Sequence, residues 1–458
     1  MAGVGFKIRE MITRESYGSL FRAYTYSGII GAGTWLISIF AILFTVFFIH
    51  HGNYFALYIR QFQVSVTGLI VSSLILSSSV QHSYTRYVSD RLFEKKPEQV
   101  LPSLMSICLV VTVICGVLIY SFINYLFKDA SVCYRLCFAS TFVILANIWP
   151  CSNLLAGLKK YTELLICFSA SYLIFIAAAF LLRTDGLSGL MVAFMLSQFF
   201  ILLGMLMIVF KYFFSNHLID FDYFSRKKTY VSLVFASLFF NLGVWIDKII
   251  FWAWPETSHH VIGVLRASTI YDLPMFFAFL SMIPGFAVFV FRVEADFSVY
   301  YDYYFRAVRD GGTFKEIVEK RDQLVIKSRA AIFDLIKMQS IIVLFVYLFG
   351  ESLLSYFRVP TMHFYLLRTD TLSVTFFLML IAITNMLFYL DKRILVLNLS
   401  LFFLVSNAVL TLITLRLGIL YYGYGFCASL FLTCLVGLYC LDKHFRNLEY
   451  STFMLRKV

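Results

Sequence analysis

The sequence predicts an all-α membrane protein with twelve transmembrane helices and with both termini in the cytoplasm. Three observations predict this class: 60% of the 458 residues are hydrophobic, only 14% are charged, and the hydrophobic residues form long uninterrupted runs. Soluble domains are about 45–50% apolar and about 25% charged, so the composition excludes a water-soluble enzyme. Continuous runs also disfavour a porin-like barrel, because the strands of such barrels alternate apolar and polar residues.

An apolar run of about 18 residues or more is long enough to cross the hydrocarbon core of a bilayer as a helix. Only Asp391, Lys392 and Arg393 separate the tenth such run from the eleventh. The twelve predicted spans are residues 27–50, 64–84, 101–126, 133–157, 163–182, 187–210, 230–254, 262–291, 338–357, 371–390, 394–415 and 419–441.

The positions of the basic residues support this number of spans and set the orientation. Of the 38 Lys and Arg residues, 29 fall in segments that the twelve-span topology places in the cytoplasm and seven in outer segments, while Lys248 and Arg266 lie inside spans. This excess follows the positive-inside rule and suits an anionic inner leaflet. Membrane topology therefore explains the net charge of +12, and no nucleic-acid partner is predicted.

The topology divides the chain into four parts. Residues 1–26 form a cytoplasmic amphipathic segment, residues 27–215 hold the first six spans, residues 216–441 hold the other six, and residues 442–458 form a cytoplasmic tail. The second set of spans contains the one long cytoplasmic insertion, residues 292–337.

The cytoplasmic insertion is predicted to be helical. Thr313-Phe314-Lys315-Glu316 matches a capping box, and the apolar spacing that follows predicts an amphipathic helix entering the ninth span. An aromatic stripe at helical spacing precedes this box. The stripe suits either a helix on the membrane interface or a surface that docks a partner. The docking candidates are Arg292, Glu294, Tyr300, Tyr304, Phe314 and Glu316.

Charged residues inside spans are costly, and they usually pair with one another or face a cavity. A helical rise of about 1.5 Å per residue places Asp247 and Lys248 of the seventh span near the depth of Arg266 and Asp272 of the eighth. We therefore predict one cluster of two acids and two bases between these helices. Two interpretations stay open: an ion-pair clamp for the helix hairpin, and a gate or substrate-facing surface in a water-filled cavity.

Signatures of catalysis are absent from the sequence. It has no Walker A loop and no H-E-x-x-H pattern, and its nine cysteines form no C-x-x-C pair. We therefore predict a protein that is not an enzyme, with no catalytic residues, no cofactor and no bound metal. Pro274 and Pro284 lie inside the predicted eighth span and are expected to bend it.

Several long strings of residues resemble the PelG family of bacterial exopolysaccharide exporters. They are Met1–Phe6, Thr85–Glu94, Asn241–Trp252, Tyr271–Phe276, Ile283–Pro284 and Arg292–Phe297. The resemblance implies the fold of the MOP flippase superfamily, in which two six-helix bundles enclose a central cavity. It also implies a place in the bacterial inner membrane and the transport of Pel, an amino-sugar polymer of the biofilm matrix.

The resemblance further implies partners. A cytosolic PelF-type glycosyltransferase would deliver the polymer, and PelD- and PelE-like membrane proteins would join the complex. The positions that match the family strings and carry charge are Asp247, Lys248, Asp272 and Glu294.

A sugar polymer is expected to travel along aromatic faces and neutral polar side chains. Candidates for that path are Asn147, Trp149, Asn241, Trp245, Asn385 and Asn407, although buried hydrogen bonding between helices would explain each of them too. Two other functions stay open: an ion-coupled exporter of small solutes or drugs, of MATE or major-facilitator type, and a membrane scaffold for the glycosyltransferase that moves nothing.

Overall fold

The protein is described by a computed structural model that covers residues 17–49, 53–225, 229–357, 360 and 363–454. Residues 1–16 of the predicted N-terminal segment and residues 455–458 of the predicted tail lie outside the described residues. Helices account for nearly all of the rest, as the apolar composition predicts.

Seven long helices form the first half of the chain. Short 3-10 turns at Pro97–Gln99, Arg183–Asp185 and Asp222–Phe224 lie in the connections between them. The helices are α1 (Tyr17–Ile49), α2 (Asn53–Phe93), α3 (Val100–Leu126), α4 (Val132–Gly157), α5 (Tyr161–Leu181), α6 (Gly186–Tyr212) and α7 (Val231–Ala253).

The second half opens with two short strands, β1 (His259–Ile262) and β2 (Leu265–Ala267). A π-helix at Val290–Phe297 joins α9 to α10, and a 3-10 turn at Ile419–Tyr421 precedes α14. The helices are α8 (Thr269–Ser281), α9 (Ile283–Phe289), α10 (Ser298–Arg309), α11 (Phe314–Tyr356), α12 (Phe364–Tyr389), α13 (Arg393–Leu417), α14 (Tyr424–Arg446) and α15 (Leu448–Phe453).

The number of candidate spans agrees with the sequence prediction. Within the described residues, eleven helices are long and apolar enough to cross a membrane, and a bent pair, Thr269–Ser281 with Ile283–Arg309, would make a twelfth. The prediction of an all-α membrane protein is therefore confirmed, while the cytoplasmic location of the termini stays a prediction.

The predicted eighth span, residues 262–291, is wrong at its first residues, whereas the bend expected in it is present. Its first residues belong to an antiparallel hairpin in which His259 pairs with Ala267; Gly263, at a φ of +55°, turns the chain with little of the strain another residue would meet. The remainder bends by 43° at a break between Ser281 and Ile283. Pro284 lies in the first turn of α9, where its missing N–H removes no helical hydrogen bond.

The insertion that the sequence predicts to be cytoplasmic has the predicted helical form. The Thr313 Oγ1 accepts a hydrogen bond from the Glu316 N–H at 3.3 Å, which satisfies one of the free donors at the start of α11. From this cap α11 continues without a break for 43 residues. At about 1.5 Å per residue it is about 65 Å long, so one helix includes both the insertion and the ninth span.

The chain forms two compact units. The N-unit comprises Gly33–Trp245 and Phe251–Ser268, and the C-unit comprises Met1–Ala32, Ile246–Ile250 and Thr269–Val458. The first residues of α1 and five residues of α7 thus pack with the second half of the chain, a grouping that differs from the predicted sets 27–215 and 216–441.

Gly425 provides a test of the packing in the C-unit. A methyl group at this position of α14 would lie 2.7 Å from the backbone carbonyl of Leu410 in α13. We expect Gly425→Ala to lower the free energy of unfolding by about 1–3 kcal/mol. Gly116→Ala is the matched control, because a methyl group there meets no atom within 4 Å and should add about 0.5–1 kcal/mol of helix stability. Unfolding of the two purified variants in detergent measures both values; equal shifts would contradict the packing.

Candidate functional site

The C-unit contains a group of polar side chains buried inside its apolar helices. We define the charge cluster as Asp247 and Lys248 from α7, Tyr271 from α8 and Asp370 from α12. The exposed fractions of the side chains are 0% for Asp247 and 4% for Lys248, and Asp370 is equally buried as a residue. Moving a charged group out of water costs free energy, and hydrogen bonds or an opposite charge must offset that cost.

Asp247 is fully used as a hydrogen-bond acceptor. The Lys248 Nζ donates to its two carboxylate oxygens at 3.2 and 3.0 Å, and the Tyr271 hydroxyl donates to Oδ2 at 2.6 Å. Neighbouring residues on a helix point about 100° apart, but the long lysine stem curves back to reach the adjacent carboxylate. The two residues form a buried salt bridge, and the carboxylate also accepts a hydrogen bond from the Tyr271 hydroxyl.

Two aromatic rings surround the other side of the lysine. The Lys248 Nζ lies 4.5 Å from the centroid of the Phe426 ring in α14 and 5.5 Å from that of Phe279 in α8. Aromatic faces attract a desolvated ammonium. Lys248 is thus held between a carboxylate and two rings, and it connects α7 to α8 and α14.

Asp370 is the charged residue of the cluster that the sequence did not predict. The predicted spans leave it in the loop before the tenth span, but α12 begins at Phe364 and places Asp370 inside the helix. Among the described residues, neither of its carboxylate oxygens has a hydrogen-bond partner. It lies within electrostatic range of Lys248 and Asp247.

Gly423 makes room for the Asp370 carboxylate. A methyl group on Gly423 would lie 2.9 Å from Oδ1, and the backbone there has a φ of +81°, which favours glycine. Gly423 is also the N-cap residue of α14. The positive end of the helix dipole therefore lies next to the unpaired acid.

The cluster contains more negative than positive charge. With Asp247, Asp370 and Lys248 all ionised, it would carry one net negative charge in an apolar surrounding. One further positive charge would remove this cost. The described residues contain no group of three or more His, Cys, Asp or Glu that could hold a metal ion.

The predicted cluster is corrected at Arg266. Its guanidinium donates to the Ser258 hydroxyl at 2.8 Å and to the Ser258 carbonyl at 3.0 Å, because Arg266 lies on β2 rather than in a span. Burial, Arg60 and Arg266 together lower the pKa of His259 in the same hairpin, which keeps its ring neutral for the hydrogen bond with Arg60.

Asp272 lies beside the charge cluster. It follows Tyr271 on α8, is half-buried, and is close enough to act electrostatically on the Tyr271 hydroxyl. Of the four predicted residues, the structure pairs Asp247 with Lys248, places Asp272 next to their tyrosine partner and moves Arg266 elsewhere.

The candidate sugar-path residues of the N-unit make bonds within or between helices. The Asn147 amide donates to the Thr112 hydroxyl at 2.9 Å, and the Trp149 indole N–H donates to the Ser73 hydroxyl at 3.0 Å. Such bonds are typical of buried packing between membrane helices. Asn147 is buried, and Trp149 is half-buried and keeps part of its ring accessible.

The other path candidates also bond within their own helices. Asn241 donates to the Ser237 carbonyl at 3.0 Å, and Asn385 donates to the Ile381 carbonyl at 3.0 Å. Asn407 accepts from the Thr411 hydroxyl at 3.0 Å. Trp245 has its ring centroid 6.5 Å from that of Trp252. A role for these residues in a sugar path stays a prediction.

One of the six docking candidates faces inward, and a second is half-buried and paired within the C-unit. Tyr304 is fully buried and bonds to Thr452 at 3.3 Å, so it is no part of a free surface. The Arg292 guanidinium forms ion pairs with Asp296 at 3.1 Å and Asp334 at 2.7 Å, and its charge is thereby balanced internally. Helical spacing alone could not tell which side of α10 faces α11.

The remaining docking candidates divide by exposure. Phe314, at 68% exposed, and Glu316 lie open at the start of α11. Glu294 and Tyr300 are half-buried, and the Lys327 Nζ lies 5.2 Å from the Tyr300 ring centroid. The exposed docking candidates therefore lie at the tip between α10 and α11, and the docking of a partner there stays a prediction.

Comparison with protein-family models finds a match over residues 1–453 to a family described as "PelG: Putative exopolysaccharide Exporter (EPS-E)". Comparison with curated proteins finds no match.

Solved structures of MOP superfamily transporters share the fold. An outward-facing multidrug resistance MATE transporter is 16% identical with a TM-score of 0.66, covering 93% of this chain and 95% of its own. A MOP transporter from Pyrococcus furiosus, whose title reports a binding pocket of reversed polarity, is 15% identical with a TM-score of 0.62 and the same coverages of 93% and 95%. A MATE structure in a bent conformation is 14% identical with a TM-score of 0.63, covering 98% of both chains.

Proposed function

Because the chain belongs to the PelG exopolysaccharide exporter family, we propose that it moves a Pel-like amino-sugar polysaccharide across the bacterial inner membrane to form biofilm matrix. The observation that carries the proposal is the match to this family over almost the whole length of the chain. The MOP transporter fold supports transport as the activity, and no reaction on the polymer is required of this chain.

The charge cluster supports active movement rather than a purely structural role. A clamp between α7 and α8 needs only the hydrogen bond from Tyr271 to Asp247, which forms without Asp370. Asp370 adds a second buried acid without a hydrogen-bond partner among the described residues, so it forms no hydrogen bond that would hold two helices together. We propose that Asp370 takes up and releases one proton during the transport cycle, and that the proton binds in place of a metal cation.

The cytoplasmic side of the C-unit offers a stable surface for a glycosyltransferase. Further along α11, ion pairs connect it to the C-terminal helices: Arg321 with Glu449 at 3.1 Å and Arg329 with Asp442 at 2.9 Å. A PelF-type glycosyltransferase would dock on the exposed residues around Phe314, and PelD- and PelE-like proteins would complete the assembly.

A deletion strain tests the function. Removing the gene should abolish secreted polysaccharide and biofilm, and the intact gene should restore both. The measurement is lectin or antibody detection of polymer in separated extracellular and cytosolic fractions. Altered drug resistance with normal secretion would overturn the proposal and favour a MATE-type exporter of small solutes.

The same strain separates transport from scaffolding. Variants of the charge cluster should lose secretion while the glycosyltransferase is still captured with the tagged protein. If secretion instead depends only on capture of the glycosyltransferase, the chain is a scaffold and the transport proposal fails.

A further inference from the structure

Two lysines of the N-unit converge on one exposed aromatic ring. The Lys160 Nζ lies 3.6 Å from the centroid of the Tyr212 ring, and the Lys211 Nζ lies 5.7 Å from the same centroid. Lys160 is the N-cap residue of α5 and Lys211 is in the last turn of α6. The start of α5 and the end of α6 thus bring two ammonium groups to the same aromatic ring.

The local charge is in excess. Glu163, which accepts the Tyr212 hydroxyl bond, supplies one negative charge, whereas Lys159 adds a third positive charge next to Lys160. The bond to Glu163 orients the ring, and the negative face of the ring attracts both ammonium groups. The excess of positive charge around this ring favours the binding of an anion.

The apolar surroundings indicate what kind of anion fits. Large apolar side chains close in sequence to the lysines are exposed, with Phe214 at 83% and Met207 at 67% on the α6 side and Ile166 at 64% on α5. In a membrane-spanning chain such residues contact acyl chains. A ligand that meets both the lysines and these residues carries an anionic head and a hydrocarbon tail.

We propose that Lys160, Lys211 and Tyr212 form a binding site for the phosphodiester headgroup of an anionic phospholipid. The two ammonium groups bind the phosphate, the ring holds their spacing, and the acyl chains lie along the exposed apolar residues of α5 and α6. The site lies within the N-unit and does not depend on the proposed export function.

Native mass spectrometry of the purified full-length protein tests the site with defined lipids. Phosphatidylglycerol should bind more tightly than phosphatidylcholine, by about fivefold for each lysine engaged. The double variant K160Q/K211Q should lose most of this preference. The control K95Q/K96Q removes two lysines from the same unit, one of which pairs with Glu94, and should keep the preference.

The aromatic ring distinguishes a built site from diffuse surface charge. Tyr212→Leu keeps every lysine but should lower the preference about threefold, since a cation–π contact is worth that much, whereas Tyr212→Phe keeps the ring and should bind within about twofold of the unaltered protein. Equal losses in K160Q/K211Q and K95Q/K96Q would overturn the proposal. Displacement of the lipid by micromolar inorganic phosphate would also overturn it, because the ligand would then be a free anion.

Discussion

Replacing Asp370 by asparagine should abolish secretion of the polysaccharide while leaving the protein folded. Asparagine has nearly the shape of aspartate but cannot take up and release a proton at this site. Because no described residue donates a hydrogen bond to the Asp370 carboxylate, the substitution breaks no hydrogen bond and should change the free energy of unfolding little. We expect extracellular polymer to fall by about tenfold or more, as for other functional acids inside membranes.

Secreted polymer is measured per amount of protein in the membrane fraction, and size-exclusion chromatography checks folding. Asp302→Asn is the matched control, because Asp302 belongs to the same unit and forms an exposed pair with Arg306 at 2.6 Å. It should secrete normally. Full secretion by the Asp370→Asn variant would contradict the proposed proton site. Loss of the variant protein from the membrane would instead show that Asp370 has a structural role.

The second large effect is expected at Lys248. Replacing it by methionine leaves Asp247 buried and charged with only the Tyr271 hydroxyl as a partner, which should cost about 3–5 kcal/mol of unfolding free energy. Asp247→Asn in the same chain should restore most of this loss, because the uncompensated charge is then gone. The exposed pair of Arg306 with Asp302 provides the comparison, since Arg306→Met should cost no more than about 1 kcal/mol.

A double-mutant cycle on the free energy of unfolding in detergent measures the coupling between Asp247 and Lys248. Additive losses from the two single substitutions would show that the pair is not coupled, contrary to the 3.0 Å geometry. Together with Asp370→Asn, this cycle separates the two interpretations of the cluster. If the cluster is only a clamp, the Lys248 substitution lowers the free energy of unfolding and Asp370→Asn leaves secretion normal. If it is a transport site, Asp370→Asn stops secretion without a change in the free energy of unfolding.

Most of the fold could be predicted because its signals are local. The apolar runs, the capping box at Thr313 and the adjacent acid and base at Asp247 and Lys248 are each visible within a few residues of sequence. The β-hairpin carried a weaker local signal, a glycine at 263 between short runs of branched residues, but the surrounding apolar character concealed it in the predicted eighth span.

The candidate site was only half predictable. Asp370 is separated from Lys248 by more than 120 residues, and its sequence neighbourhood, with Arg368 two residues earlier, is that of a loop end. Only the packing of α12 in the C-unit buries it. The same limit applies to Tyr304, where helical spacing defines a stripe of aromatic residues but not the side of the stripe that α11 and α15 cover.

The sequence by itself determined that this chain is a helical membrane protein of about twelve spans. A helix that crosses a lipid bilayer requires a long apolar run, and such runs are visible in the sequence alone. The tertiary structure alone decided which charges share a site. Proximity between distant helices depends on how their side chains pack, so the structure paired Asp247 and Lys248 with Tyr271, added Asp370, and moved Arg266 to the hairpin.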